Sequence, residues 1–370
     1  MPSFIPSDCY NVLMECFPGV DPYNPASIAR ANTLDDMRRM RGVGVGVALE
    51  FVPWSLVETE RGVYDWRVID EQVDRAHRAG MKVLLMGPTT VPAYFDDAWY
   101  TRAGDGTIMR DRHPQNHTQS WACLSPWNED ATAYQLSFIS RMCKRYNDSQ
   151  TMCIFSQSQE GESLLPPAVY AMFDAAAIAS YREWIGDKEA IPNPYARATQ
   201  WWLHQSLGEL VVAQQNIYCN THPARECWMS LHPCYLGWDG SGVTHIQEYF
   251  ELVRARVNPA SMTWLIFTWW VGAFIDQKGR KHNRHEYDSV LASVQRMGVN
   301  IISGSEWPAG LAPHTPLAIK AGFRALLTAT LHPFHPENVV NEEVIQLLSE
   351  SHRQFAAAHN VERMMEAETA

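Results

Sequence analysis

Two glutamates carry the first chemical signal in the chain. Residues 152–163 (MCIFSQSQEGES) form an apolar run that breaks into a polar turn holding Gln159, Glu160 and Glu162. Residues 299–307 (VNIISGSEW) have the same form and end on Glu306. A buried parallel strand delivers its polar tip to the face where α/β barrels keep catalytic groups. Two carboxylates at two such tips are the minimum equipment for glycoside hydrolysis. One, kept protonated by its surroundings, protonates the leaving oxygen, while the other stays ionised and attacks the anomeric carbon. A lone carboxylate at a strand end is more often a solvated group or an ion-pair partner, and Glu162 is a direct rival of Glu160. The pairing therefore needs a fold that brings the tips together.

Tryptophan is the second signal. Trp54, Trp121, Trp269, Trp270 and Trp307 fall in predicted strand-tip loops and not in helix stripes. Indole faces stack on the C–H faces of sugar rings, and the indole N–H adds a polar handle. Any one of them could as well cap the core; several on one face read as a platform. His232 closes the fifth predicted strand and could bind a hydroxyl. Glu50 closes the second and could orient a hydroxyl or bind an arginine.

Composition excludes several other chemistries. The chain has 370 residues, 46% hydrophobic and 19% charged, and a formal net charge of −11. With no Lys/Arg-rich block, nucleic acid is not an expected partner. Residues 1–17 lack the basic and apolar regions of a signal peptide, and no run reaches the ~18 apolar residues of a membrane span. The expectation is a cytoplasmic protein with no membrane contact. Its eight cysteines are scattered without a CxxC pair and no HExxH occurs, so neither a metal nor a disulfide framework is expected. No Gly-rich loop follows a strand and no GxSxG elbow exists, so no cofactor is expected either.

The elements that must position the glutamates emerge from periodicity as a β/α alternation. Apolar strand-like runs occur at 11–16, 43–51, 81–86, 152–156, 226–231, 263–268 and 300–304. Between them lie amphipathic helices; Thr33 with Asp36 marks one start, and Thr315-Pro316 opens another expected to reach about Leu331. An eighth strand is weakly defined, with 332–340 offering only a short apolar stretch. The predicted fold class is α/β, a (β/α)8 barrel with extended loops after strands 3 and 4. A doubly wound open sheet is the runner-up. Residues 1–370 read as one catalytic domain with a helical insertion at about 164–195.

The residues then resemble a known family. Residues 44–95, from GVGVALEF to VPAYF, are similar to the second and third β/α units of family 42 glycoside hydrolases, through Trp54, Glu58, Gly62, Tyr64, Asp65, Asp70, Gly80, Gly87, Pro88, Thr89 and Pro92. The loop GDGTIMRDRHPQNHTQSWACLSP, Lys144-Arg145-Tyr146 and SYREWIGD match further stretches, so the likeness runs from about Asn11 to Pro233. It implies a β-galactosidase-like barrel with Glu160 as acid/base on strand 4 and Glu306 as nucleophile on strand 7. Arg112 takes the place of a sugar-binding arginine, and Gln159 that of the asparagine before the acid/base. The longer amide side chain at Gln159 sets this chain apart from the family, as do the missing cysteine zinc cluster and the expected lack of C-terminal domains.

The reading is a retaining hydrolase of a β-linked sugar, β-galactosidase-like and exo-acting, the bulky insertions after strands 3 and 4 favouring a closed pocket. A carbohydrate is the expected partner, and a homo-oligomer is allowed. The alternatives are a sugar-binding protein without turnover, and an inverting or endo-acting glycosidase.

Overall fold

Eight short parallel strands pair edge to edge until the last meets the first, leaving no free sheet edge. The computed structural model describes residues 4–15, 32–88, 91–109, 124–157, 172–193, 196–231, 246–267, 299–305, 311–320, 322–323, 325–329 and 340–369. The strands are β1 (Asn11–Glu15), β2 (Val45–Phe51), β3 (Lys82–Met86), β4 (Thr151–Gln157), β5 (Glu226–Leu231), β6 (Ser261–Phe267), β7 (Asn300–Ser305) and β8 (Ala325–Ala329). Around them lie α1 (Leu34–Gly42), the single turn α2 (Trp54–Val57), α3 (Arg67–Arg78), α4 (Glu129–Tyr146), α5 (Ala175–Ile185), α6 (Arg197–Thr221), α7 (Ile246–Arg256), α8 (Leu311–Lys320) and α9 (Glu342–Thr369). The expected (β/α)8 barrel is the fold.

Alternation along each strand sorts side chains into two layers. Val12, Val47, Leu49, Phe51, Leu84, Met86, Met152, Ile154, Trp228, Leu265, Ile302, Ala325 and Leu327 fill the inside of the ring. The intervening Ala48, Val83, Leu85, Cys153, Cys227, Met229 and Trp264 face the helices. Phe4 belongs to the inner cluster, with its ring edge-on to Trp228 at 6.1 Å, so the N-terminal segment plugs the end of the ring where the strands begin.

Local chemistry sets the helix ends. Thr33 and Asp36 form the expected capping box on α1. The Asn128 and Asp174 side chains accept from Ala131 and Ala177 to cap α4 and α5. The helix after Asp65 begins at Arg67, and the one foreseen from Ser125-Pro126 begins at Glu129. Two helices, α5 and α6, join β4 to β5, with Trp127 stacked on Trp202 at 4.7 Å where they meet the rest of the shell.

The eighth unit corrects the sequence expectation. The helix predicted to reach Leu331 stops at Lys320, Gly322 turns the chain at φ +75°, and Ala325–Ala329 pairs in parallel with both β7 and β1. Ala325, Leu326, Leu327 and Thr328 are all buried, so no two-residue alternation was there to be read. Ala and Leu, which dominate ALLTA, also favour helix in isolation. The stretch 332–339 lies outside the described residues.

Candidate active site

Parallel strands place all their C-terminal ends on one face, and β4 and β7 end there at Gln157 and Ser305. Glu160 follows β4 by three residues, and Glu306 is the residue after β7. Both lie outside the described residues, as do Gln159, Arg112, His232, Trp269, Trp270 and Trp307. Of the proposed site residues, Glu50 and Trp54 are described, and neither faces the inside of the ring.

Trp54 is fully buried at the start of α2. Its ring lies 4.7 Å from that of Phe138 on α4 and 5.1 Å from that of Phe95. Its indole N–H donates to Glu58 Oε2 at 2.6 Å. Such a ring has no free face for a sugar, so Trp54 is shell packing and not part of a stacking platform. Its position one turn before a buried carboxylate on an aromatic helix was the signal for this.

Glu50 is also fully buried. It alternates with Leu49 and Phe51, which fill the ring, and shares the helix-facing side of Ala48 and Val52. Period two therefore turns it toward the shell, and the expected hydroxyl-orienting role is corrected on that ground.

Glu58, to which sequence reasoning gave no role, is the best-organised carboxylate of the rim. It is fully buried. Trp54 holds Oε2, while the Gly62 N–H donates to Oε1 at 2.7 Å and the Tyr134 hydroxyl donates to the same oxygen. Gly62 can aim that N–H because it sits at φ +81°, a region other residues rarely enter. Burial alone would raise the carboxyl's pKa. The donors from Tyr134, Gly62 and Trp54 outweigh it and hold the group below its ordinary value. An ionised, saturated carboxylate of this kind is a brace between α2, the following turn and α4.

Asp70 plays a similar part further out. Arg145 grips it with Nε and Nη2, the latter 2.7 Å from Oδ2, and the Tyr146 hydroxyl donates to Oδ1 at 2.7 Å. Among the described residues, no three His, Cys, Asp or Glu side chains gather as metal ligands would.

The family model described as beta-galactosidase, that of family 42 of the glycoside hydrolases, matches residues 22–194. The chain resembles that family. A β-galactosidase of Bifidobacterium bifidum is 27% identical over 143 residues, 37% of this chain and 20% of the relative. The chain spans 20%, 23% and 36% of the length of three curated β-galactosidases it matches. Among solved structures, the cold-adapted β-galactosidase of Rahnella sp. R3 superposes with a TM-score of 0.66 at 13% identity, over 97% of this chain and 58% of that one. The catalytic domain of β-amylase from Paenibacillus polymyxa gives 0.63 at 11% identity, over 94% and 98%. At these identities the structural likeness establishes the barrel. The matched family segment contains Glu160, Gln159, Arg112 and Trp54 but not Glu306. No helix among the described residues is long and apolar enough to cross a membrane.

Proposed function

We propose that the chain is a retaining β-glycosidase, β-galactosidase-like and exo-acting, with the barrel as its catalytic domain. Glu160 serves as acid/base and Glu306 as nucleophile. The observation that carries this is that both glutamates follow strand ends on the same face of the ring. Ile154 and Ile302 fill the inside of the ring. Glu160 comes three residues after the end of β4, and Glu306 is the residue after β7.

Barrel geometry sets the scale across which the two strand ends face each other. Strands ~4.8 Å apart and tilted by ~36° make an eight-membered ring of radius roughly 7.5 Å, so strands three steps apart face each other across roughly 14 Å. A retaining pair needs carboxyls ~5–5.5 Å apart, whereas ~6.5–9.5 Å would leave room for an attacking water.

The chemistry then proceeds in two displacements. Glu160 protonates the glycosidic oxygen as Glu306 bonds to the anomeric carbon; Glu160, now ionised, takes a proton from water, which attacks and frees Glu306. Arg112, Gln159, His232 and the tryptophans 269, 270 and 307 are proposed to hold the sugar. A panel of nitrophenyl glycosides tests the reading. Release of nitrophenol from the β-galactoside with first-formed β-galactose is expected. Binding without turnover across the panel, or first-formed α-galactose, contradicts it.

A further inference from the structure

A cleft of about 760 Å³ opens on the outer rim, away from the inside of the ring. It lies between the turn after α2, which carries Arg61, the segment after β3, with Tyr94, Asp96 and Trp99, and the first turns of α4, with Asp130 and Tyr134. Its volume is that of a small-ligand site, where ~300–1,000 Å³ is usual.

Arg61 defines its chemistry. The guanidinium carbon lies 5.3 Å from the Trp99 ring centroid and 5.0 Å from that of Tyr134, within cation–π range of both. Among the described residues, no carboxylate comes within 4.0 Å of it. Two rings thus position a planar fork of N–H donors and leave those donors to the cleft. Exposed Asp96 and Asp130 place acceptors on the same walls, and exposed Ala133 adds an apolar surface.

The floor is rigid. The Tyr134 hydroxyl is tied to buried Glu58, and Trp99 packs on Phe95 with centroids 4.9 Å apart. A ligand here would order few side chains on binding.

We propose that this cleft is a second saccharide-binding site, separate from the Glu160/Glu306 pair. Donors, acceptors and apolar carbon in one small space match a sugar ring, whose hydroxyls both donate and accept and whose C–H face is apolar. Two carboxylates against one guanidinium disfavour an anionic ligand such as a phosphate. The proposal does not require turnover at the barrel centre. A sugar held beside β2 and β3 would keep a longer glycan near the ring's open end.

The test monitors the Trp99 indole N–H resonance, assigned with Trp99→Phe, while lactose, cellobiose and maltose are titrated singly into the full chain carrying Glu160→Gln and Glu306→Gln. At least one sugar should shift that resonance saturably. Arg61→Ala and Asp130→Ala, both at exposed positions, should weaken that binding roughly tenfold or more. With both carboxylates intact, Arg61→Ala should keep the parent rate on nitrophenyl β-galactoside. No shift with any sugar, or parent-like affinity in either variant, overturns the proposal. Loss of hydrolysis in a folded Arg61→Ala chain also overturns it, because the cleft would then belong to the active site. A parent without hydrolysis sinks the glycosidase reading alone, since the titration stands by itself.

Discussion

At the residue scale, Glu58 explains why part of the family pattern persists in so divergent a chain. Trp54, Glu58 and Gly62 are one hydrogen-bonded unit completed by Tyr134, and Asp70 is gripped by Arg145 and Tyr146. These matched residues brace the scaffold; they do not touch the inside of the ring. Glu58→Gln should cost about 2 kcal/mol at neutral pH, because an amide cannot accept from all three donors as an ionised carboxylate does. The pH dependence stems from its depressed pKa. The stabilisation is complete above the unfolded value of roughly 4.3 and fades as pH falls through the lower folded value. Urea titrations of parent and variant should therefore diverge at pH 7 and converge in acid. Tyr134→Phe should cost about 1 kcal/mol, by leaving Glu58 Oε1 with the Gly62 donor alone. The Asp70–Arg145 pair is half exposed, at 42% and 45%, and its removal should change stability by less than about 1 kcal/mol.

At the element scale, Gly322 separates α8 from β8, the strand that closes the barrel. Its φ of +75° leaves open space for a Cβ, so Gly322→Ala tests backbone conformation without a clash. A loss of about 1 kcal/mol in thermal or denaturant unfolding is expected. This boundary also shows where sequence reading stops. Seven strands were legible because each is an apolar run bounded by a helix with a clear stop or cap, as Thr33 and Asp36 provide for α1. The eighth was hidden because Ala325–Ala329 is buried on both sides and made of residues that also suit a helix. Glu50 was misplaced for a related reason: a strand end was recognised, but which side of the strand faced inward depends on the register of Val47, Leu49 and Phe51. Trp54 was misread because a loop position in sequence became the first residue of a buried turn. Glu160 and Glu306 were legible as polar ends of apolar runs, and both lie outside the described residues.

At the scale of the whole molecule, one polar network fastens the closing seam. The Asn11 amide on β1 donates to the Leu348 carbonyl on α9, the Ser351 hydroxyl donates to Asn11 Oδ1, and the Thr315 hydroxyl on α8 donates to Ser351 Oγ at 2.9 Å. Leu348 and Phe355 are fully buried beside it. The C-terminal helix thereby ties the first strand to α8 of the seventh β/α unit, across the 340 residues in sequence between Asn11 and Ser351. Ser351→Ala should cost about 1–2 kcal/mol by stranding Asn11 Oδ1, while the Thr315 hydroxyl keeps the Leu311 carbonyl at 2.7 Å, and Phe355→Ala should cost about 3–5 kcal/mol. Both should lower the urea midpoint with an unchanged slope, as expected if the ring opens only with the whole chain.

Azide rescue tests the proposed pairing of Glu160 with Glu306 most directly. On nitrophenyl β-galactoside, Glu160→Ala and Glu306→Gly should each lose activity on the order of 10³-fold. Azide should then restore turnover in both, giving the β-galactosyl azide from Glu160→Ala and the α-galactosyl azide from Glu306→Gly, because only the missing nucleophile leaves that face open to direct attack. A Glu306→Gly chain that keeps the parent rate, or yields no α-azide, would contradict the assignment.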